Sequence, residues 1–456
     1  MDFENYMSPG RKGYLIGIGG VSMSSLAEVL HGAGLSITGS DMSDNQNVID
    51  LEKKTGIKVN IGHNAENIGE DIDFIVRTAA VHDDNPEIIR ARELGIPVFE
   101  RTQAWGSISK NYSNAVCIAG THGKTTTTSM CTHILMAAAK DPTVMIGGTL
   151  PLLNAGHRVG HGNTIIMEAC EYYNSFLSLH PTVAVILNIE EDHLDFFSGL
   201  EDLQKSFKAF AERTPEGTGC IIANADDANT MEAIKSVNRK VITFGLSDNA
   251  DVYAENIKFS GANSSFDIMY NGTLYTDVTL HVPGIHNVKN ALAAAAAGIS
   301  VGIRPYAVKY GLSAFNGAGR RFEFKGKYKG ADVYDDYAHH PGELKALLDT
   351  VEQLKYRRIV LVFQPHTYSR TNALFDSFVK QLSRPDVLLL AEIFAARETN
   401  TIGISSKDLA DRIDGARFFP NFTELKKSLE KIVQPGDIVL TVGAGDVYKI
   451  GEDIVE

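Results

Sequence analysis

The sequence predicts an α/β protein of three domains. These are an N-terminal Rossmann-like domain, a central P-loop ATPase-like domain with a mostly parallel sheet and a small antiparallel appendage, and a C-terminal Rossmann-like domain. Three observations predict this. Short apolar runs alternate with helical patterns almost throughout, as parallel βαβ units require. Gly-rich turns follow such runs twice, at 17–20 and 120–123. The 456 residues also exceed what one core holds, since cores stop growing near roughly 250–300 residues.

The first domain is placed at residues 1–108. Tyr14-Leu-Ile-Gly-Ile18 reads as a strand, and Met23, Leu26, Val29 and Leu30 then share one face of a helix. Strand-like runs follow at 35–38, 57–60, 74–76 and 97–99, with a helix opened by Pro86. The polar stretch 107–114 marks a linker. The second domain, 109–318, begins with strand 115–119, a tight turn and a helix from Lys124. Buried strands are expected at 164–167, 183–187, 219–223 and 241–244. Between Asp251 and Val282 the pattern becomes alternating and Asn-Gly punctuated, which predicts the antiparallel appendage. An Ala-rich helix over 290–298 and another from Pro305 close this domain, and 315–319 is the second linker. The third domain, 319–456, carries strands at 332–335, 359–363, 387–391 and 438–442.

Lys and Arg number 43 against 56 Asp and Glu, a net charge of −13. Generic adhesion to nucleic acid or an anionic membrane needs a basic surface, so neither is expected as a partner. The N-terminus carries acids where a signal peptide is basic, and no apolar run approaches a membrane span. Cys117, Cys131, Cys170 and Cys220 show no metal-ligand or disulfide spacing and have apolar neighbours. They read as small buried thiols of a cytoplasmic protein.

The strongest local signal is Gly120-Thr121-His122-Gly123-Lys124-Thr125-Thr126 between a strand and a helix. Phosphate binding needs backbone N–H groups turned to one point, a helix N-terminus, a lysine for the β- and γ-phosphates and a hydroxyl for Mg²⁺. All four are present in this shorter G-x-x-G-K-T form. Gly17-Ile-Gly19-Gly20-Val-Ser22, with Asp41 beyond it, resembles a dinucleotide turn. A sugar nucleotide on the helix N-terminus and an empty tight turn both remain open there.

Glu168-Ala-Cys-Glu171 and Asn188-Ile-Glu-Glu-Asp-His193-Leu-Asp195 each follow a strand. Ligands gather at the carboxyl ends of parallel strands, so both should converge on the phosphate loop. Carboxylate and imidazole beside a triphosphate suit divalent cations; a solvated acidic helix start is the alternative. In the third domain, Asp335-Asp336-Tyr-Ala-His339-His340-Pro341 and Gln364-Pro-His366-Thr-Tyr-Ser-Arg370 also follow strands. Histidines and an arginine at adjacent strand ends suit a carboxylate ligand, with zinc as the rival. His286, Asn287 and Asn290 start a helix, where they cap it or read an adenine edge, and Arg320 and Arg321 sit at the linker.

Together these ordered motifs, spanning nearly the whole chain, resemble the Mur ligase family. The resemblance implies ATP-dependent ligation of L-alanine to the lactyl carboxylate of UDP-N-acetylmuramate through an acyl phosphate, in peptidoglycan precursor synthesis. ATP and Mg²⁺ or Mn²⁺ are the implied cofactors, and a monomer or homodimer the implied state. It assigns the ATP site to Gly120, Thr121, His122, Gly123, Lys124, Thr125, Thr126, His286, Asn287, Asn290, Arg320 and Asp336. It assigns metal binding to Thr125, Glu168 and His193, and substrate binding to Gly19, Gly20, Ser40, His63, His339, His366 and Arg370. Lys124, His193, His339 and Arg370 are the implied catalytic residues. Ser22, Arg77-Thr-Ala-Ala80 and Thr367 depart from common family patterns. The family's tripeptide-recycling branch, a nucleotide-sugar oxidoreductase using 17–22 for NAD(P), and a P-loop switch or motor are the competing readings.

Overall fold

The computed structural model describes residues 2–78, 80–194, 196–396 and 398–455. Asp195, the end of one sequence motif, and Ala79, within a noted departure, lie outside them. Three separate sheets carry the fold.

The first contains β1 (Lys12–Ile16), β2 (Ser36–Asp41), β3 (Val59–Ile61), β4 (Phe74–Arg77) and β5 (Val98–Glu100). All are parallel, in the order β3-β2-β1-β4-β5. The chain reverses its direction of growth between β1 and β4, which opens a crevice at the strand ends. Gly17, at φ +79°, makes the turn out of β1, and Gly20 caps helix Val21–Gly32. The predicted face of that helix (Met23, Leu26, Val29 and Leu30) is buried.

The central sheet has ten strands: β6 (Asn114–Ala119), β7 (Thr143–Leu150), β8 (Ala155–Arg158), β9 (Thr164–Glu168), β10 (Val183–Ile186), β11 (Cys220–Asn224), β12 (Lys240–Gly245), β13 (Val252–Ser260), β14 (Asn263–Tyr270) and β15 (Thr273–Leu280). Their order is β15-β14-β13-β12-β11-β10-β6-β9-β7-β8, parallel from β13 to β7. The expected appendage is the antiparallel β13–β15. On one face, helices Lys124–Ala137, Ile285–Ser300 and Pro305–Ser313 pack together. The alanines at 291 and 293–297 are buried, and their small side chains let these helices approach closely.

The third sheet holds β16 (Glu323–Tyr328), β17 (Ala331–Asp336), β18 (Ile359–Phe363), β19 (Val387–Ala391), β20 (Arg417–Phe419) and β21 (Ile438–Val442). Its order is β16-β17-β21-β18-β19-β20, with only β16 antiparallel to its neighbour.

Several expectations are corrected. The stretch expected as the first linker starts inside helix Arg101–Ser109, where Trp105, Ser107 and Ile108 are buried. A methyl at Gly106 would lie 2.0 Å from Ser178 O, so this helix seats directly on the central domain. The β7–β8 hairpin, β16, β20 and helix Gln46–Thr55 lay beyond the sequence reading; Gly147 and Gly148 interrupt the apolar pattern of β7. Cys170 is exposed, unlike the other three cysteines. β21 runs between β17 and β18, so the two histidine-bearing strands are not neighbours in the sheet, although His339 and His366 still meet beyond their ends. No helix among the described residues is long and apolar enough to cross a membrane.

Candidate active site

β6 lies between β9 and β10, with Ile118 opposite Glu168 and Ala119 opposite Ile186. This register brings the phosphate loop, Glu168 and the 188–193 segment to one edge of the sheet. Gly120 turns out of β6 at φ +144°, and a Cβ there would sit 2.9 Å from Leu187 Cβ, so only glycine lets the loop pass β10. Gly123, at φ +85°, caps the helix that starts at Lys124. Asn188 fixes the loop: its Oδ1 accepts from His122 N (2.8 Å) and its Nδ2 donates to His122 O (3.1 Å). Thr121 Oγ1 accepts from Glu190 N at 2.9 Å.

Lys124 Nζ donates to Gly120 O (2.5 Å), Thr121 O (3.2 Å) and both oxygens of Glu171 (3.1 and 3.0 Å). Burial works against its charge, but Glu171 outweighs this and raises the Lys124 pKa. From Glu171 a row of polar groups continues outward. His193 Nε2 lies 3.9 Å from Glu171 Oε1 and 3.8 Å from Asp192 Oδ2, and its ring stacks on Tyr172 at 4.2 Å. Burial lowers the His193 pKa, leaving a neutral ring suited to ligation.

Glu168 stands beside the loop. It accepts from Gly147 N at 2.6 Å, and burial raises its pKa while the nearby Thr125 hydroxyl acts against the rise. A partly dried carboxylate next to a helix-start hydroxyl is a pair of hard oxygen donors. That donor set fits Mg²⁺ or Mn²⁺.

A cavity of about 250 Å³ runs from this loop into the seam between the central and C-terminal domains. His122, Gly123, Thr126, His286, Asn287 and Asn290 line it from the central domain; Arg321, Asp336 and Glu343 line it from the other side. Burial lowers His286 to a pKa of about 4 and raises Asp336 to about 6. Asn287 Nδ2 donates to Pro283 O and Asn290 Nδ2 to Asn287 Oδ1, so both also brace their helix start. Asp336 accepts from Phe322 N and Ala338 N, each at 2.8 Å.

Arg320 faces away. Its guanidinium donates to Asp335 Oδ2 (2.9 Å), Gly445 O (3.1 Å) and Gly443 O (2.6 Å), and it packs on Tyr337 and Tyr448. It anchors the linker to the third sheet, while its neighbour Arg321 lines the cavity.

The two neighbouring histidines diverge. His340 Nδ1 accepts from Gly342 N and Nε2 donates to Glu191 O at 3.2 Å, tying the two domains. His339 turns toward His366, with ring centroids 5.7 Å apart. His339 Nδ1 faces Tyr337 O at 3.0 Å and must donate there, which leaves Nε2 as an acceptor. Burial lowers His339 to about 4 and His366 to about 3. Arg370 donates through Nη1 to His366 Nδ1 (3.2 Å) and through Nε to Asp192 Oδ1 (3.1 Å). His122, Glu190 and His340 also bring ligand atoms within 4.8 Å of one another. Both nitrogens of His340 are committed, however, and burial of His122 is outweighed by Glu190 and Glu343, which hold it protonated to about pH 9. His122 pairs with Glu190 inside the central domain, and His340 packs on the His122 ring and crosses to Glu191 O, so the three form a polar contact between domains.

Gly19, Gly20, Ser40 and His63 gather apart from the cavity, at the carboxyl ends of β1, β2 and β3. Gly19 N donates to Asp41 Oδ2 at 2.9 Å. Ser40 is fully buried and donates to Glu87 Oε2 (2.7 Å), and His63 Nδ1 reaches the same oxygen at 2.9 Å. Ser40 therefore supports His63 from below, and the His63 ring is the member of this pair with exposed surface.

The family models that match the chain are the Mur ligase family catalytic domain at residues 13–113, the Mur ligase middle domain at 118–298 and the Mur ligase glutamate ligase domain at 320–445. The chain is 46% identical to a UDP-N-acetylmuramate–L-alanine ligase of Agathobacter rectalis, covering 97% of each. The chain belongs to the Mur ligase family. Another ligase of the same name, from Clostridium novyi, is 44% identical over the full length of both. Among solved structures, a UDP-N-acetylmuramate–alanine ligase of Thermotoga maritima superposes with a TM-score of 0.80 at 30% identity, covering 97% of this chain and 98% of that one. A murein peptide ligase of Psychrobacter arcticus shares the fold, with a TM-score of 0.72 at 24% identity and 98% of each chain covered.

In this Mur ligase the structure adds Glu343 and Arg321 to the cavity wall and Glu87 to the first domain. Glu343 Oε2 accepts from His339 N (2.9 Å) and His340 N (3.2 Å), while Oε1 lies 3.5 Å from His122 Nδ1 and 3.8 Å from Arg321 Nη1. The capping pattern of a histidine followed three residues later by Glu343 was the one local signal available for it.

Proposed function

We propose that this Mur ligase joins L-alanine to the lactyl carboxylate of UDP-N-acetylmuramate, using ATP and a divalent cation, Mg²⁺ or Mn²⁺. One observation carries the reading: the phosphate loop, with Lys124 paired to Glu171 behind it, opens into a cavity lined by both the central and the C-terminal domain. The likeness to alanine ligases along the whole chain supports the substrate assignment.

Gly120–Thr126 would cradle the triphosphate of ATP, and Lys124 would leave Glu171 to meet the β- and γ-phosphates. His286, Asn287 and Asn290 would line the adenine end, facing Arg321 and Asp336. Thr125, Glu168 and His193 would hold the cations, which supply Lewis-acid stabilisation of charge on the phosphoryl oxygens. The substrate carboxylate attacks the γ-phosphorus, ADP departs, and the acyl phosphate forms. The amine of L-alanine then attacks the acyl carbon, and phosphate leaves as the amide forms. His339 Nε2, neutral and free to accept, is the group suited to take a proton from that amine. Arg370 supplies cationic N–H groups for the oxyanion and the alanine carboxylate. His63, with Gly19 and Gly20 at the helix start, would hold the UDP portion. ATP and a nucleotide-activated sugar are cytoplasmic reactants, which places the proposed reaction in the cytoplasm; a monomer or homodimer is the state the family resemblance implies.

Phosphate release tests this with ATP, Mg²⁺, UDP-N-acetylmuramate and a panel of L-alanine, glycine, L-serine and a tripeptide. Release is expected only with the sugar nucleotide and is fastest with L-alanine. Release that ignores the sugar nucleotide overturns the reading.

A further inference from the structure

We propose that Asp192 is a positioning residue for the ligation step, holding the Arg370 guanidinium over the reacting groups when the central and C-terminal domains come together. The proposal rests on the ligase reading above. Asp192 and Arg370 lie 178 residues apart, on different domains. Asp192 Oδ1 is 3.1 Å from Arg370 Nε, and Oδ2 is 3.4 Å from Nη2. Their side chains are 9% and 10% exposed, so both charges are withdrawn from water and each needs the other.

Among the described residues, the other side-chain hydrogen bond of Arg370 is to His366 Nδ1. Asp192 and His366 therefore grip the guanidinium from both sides. One N–H on each terminal nitrogen is left over, a fork suited to a carboxylate or an oxyanion. A long side chain with several rotamers would not hold that fork in place by itself. Asp192 supplies the missing constraint, and supplies it from the domain that carries the phosphate loop. Its neighbour His193 reaches Glu171, which pairs with Lys124, so the position of Arg370 is referenced to the phosphate site through one continuous chain. The fork is thus built from both domains at once, with Asp192 on the central domain and His366 on the C-terminal one.

The test is a double-mutant cycle on the full chain, with phosphate release as the readout. Asp192→Asn keeps the size and removes the charge. It is expected to lower kcat on the order of 10²-fold, raise KM for L-alanine and leave KM for ATP unchanged. Arg370→Lys keeps the charge and removes the fork. In that background Asp192→Asn is expected to cost nothing further, because its effect passes through the fork. Multiplicative losses in the double variant, or a single Asp192→Asn variant with wild-type kcat, overturn the proposal. Should Asp192→Asn fold poorly, Asp192→Glu gives the second reading: partial activity with raised KM for L-alanine supports positioning, and wild-type parameters refute it. Wild-type enzyme assayed alongside separates the two ideas. If it fails to turn over UDP-N-acetylmuramate with L-alanine, the ligase reading falls; if it turns over and the cycle is multiplicative, only the role of Asp192 falls.

Discussion

Lys124 and Glu171 form an ion pair across the phosphate loop, with Nζ 3.0 Å from Oε2 and the carboxylate almost wholly buried. The lysine proposed to meet the triphosphate is thus held against a carboxylate of the same candidate site, and it also donates to Gly120 O and Thr121 O. A phosphate that draws Lys124 away leaves Glu171 beside His193, where a cation can compensate it.

Lys124→Ala is accordingly expected to abolish phosphate release, with a loss on the order of 10³-fold or more. It also strands Glu171. Urea denaturation should show about 1–3 kcal/mol of lost stability, recovered when Glu171→Gln is added. Wild-type turnover in Lys124→Ala would mean that the loop does not hold the nucleotide.

Gly147→Ala probes Glu168 without touching it. The new Cβ would lie 2.8 Å from Glu168 Oε2, in a strand position with ordinary backbone angles. The carboxylate has to swing away, so activity should fall about 10- to 100-fold and the Mg²⁺ concentration for half-maximal rate should rise. The thermal midpoint should stay near wild type, because Glu168 is a flexible side-chain end.

His122 makes stability depend on alkaline pH. Burial lowers its pKa, but Glu190 at 3.3 Å and Glu343 at 3.5 Å outweigh this and hold it at about 9, with the His340 ring packed 4.8 Å away. Its folded value lies above the unfolded one, near 6.5. The stabilisation is therefore complete below pH 6.5 and lost as pH rises through 9. Urea midpoints between pH 6 and 10 should fall more steeply for wild type than for His122→Gln. Parallel curves would show that His122 is uncharged.

Glu87 should prove to be the structural centre of the first domain. Its fully buried carboxylate accepts from Tyr14 OH (3.0 Å), Asn67 Nδ2 (2.7 Å), Ser40 Oγ (2.7 Å) and His63 Nδ1 (2.9 Å). Glu87→Ala strands four donors, and denaturation should register a loss of at least about 3 kcal/mol. With His63 unheld, affinity for UDP-N-acetylmuramate should fall while ATP affinity persists; calorimetric titration of each nucleotide distinguishes the two.

The α/β class, most strands and the Gly-rich loop are legible in the sequence, because each is written in neighbouring residues. A parallel strand is a short apolar run, and Gly120 to Thr126 form their site within one turn of chain. Strand order followed less directly: motifs at strand ends imply a shared edge of the sheet, and β9 and β10 do flank β6. Contacts that cross between domains are set by the folded arrangement instead. Arg320 and Arg321 are indistinguishable in sequence, yet the left-handed backbone at Arg320, φ +57°, sends one into the third domain and the other to the cavity. Glu343 becomes significant only where His122 and Arg321 meet it, and Asp192 only where Arg370 does. Such pairings depend on how whole sheets stack, since the energy that places them comes from packing far from the residues themselves.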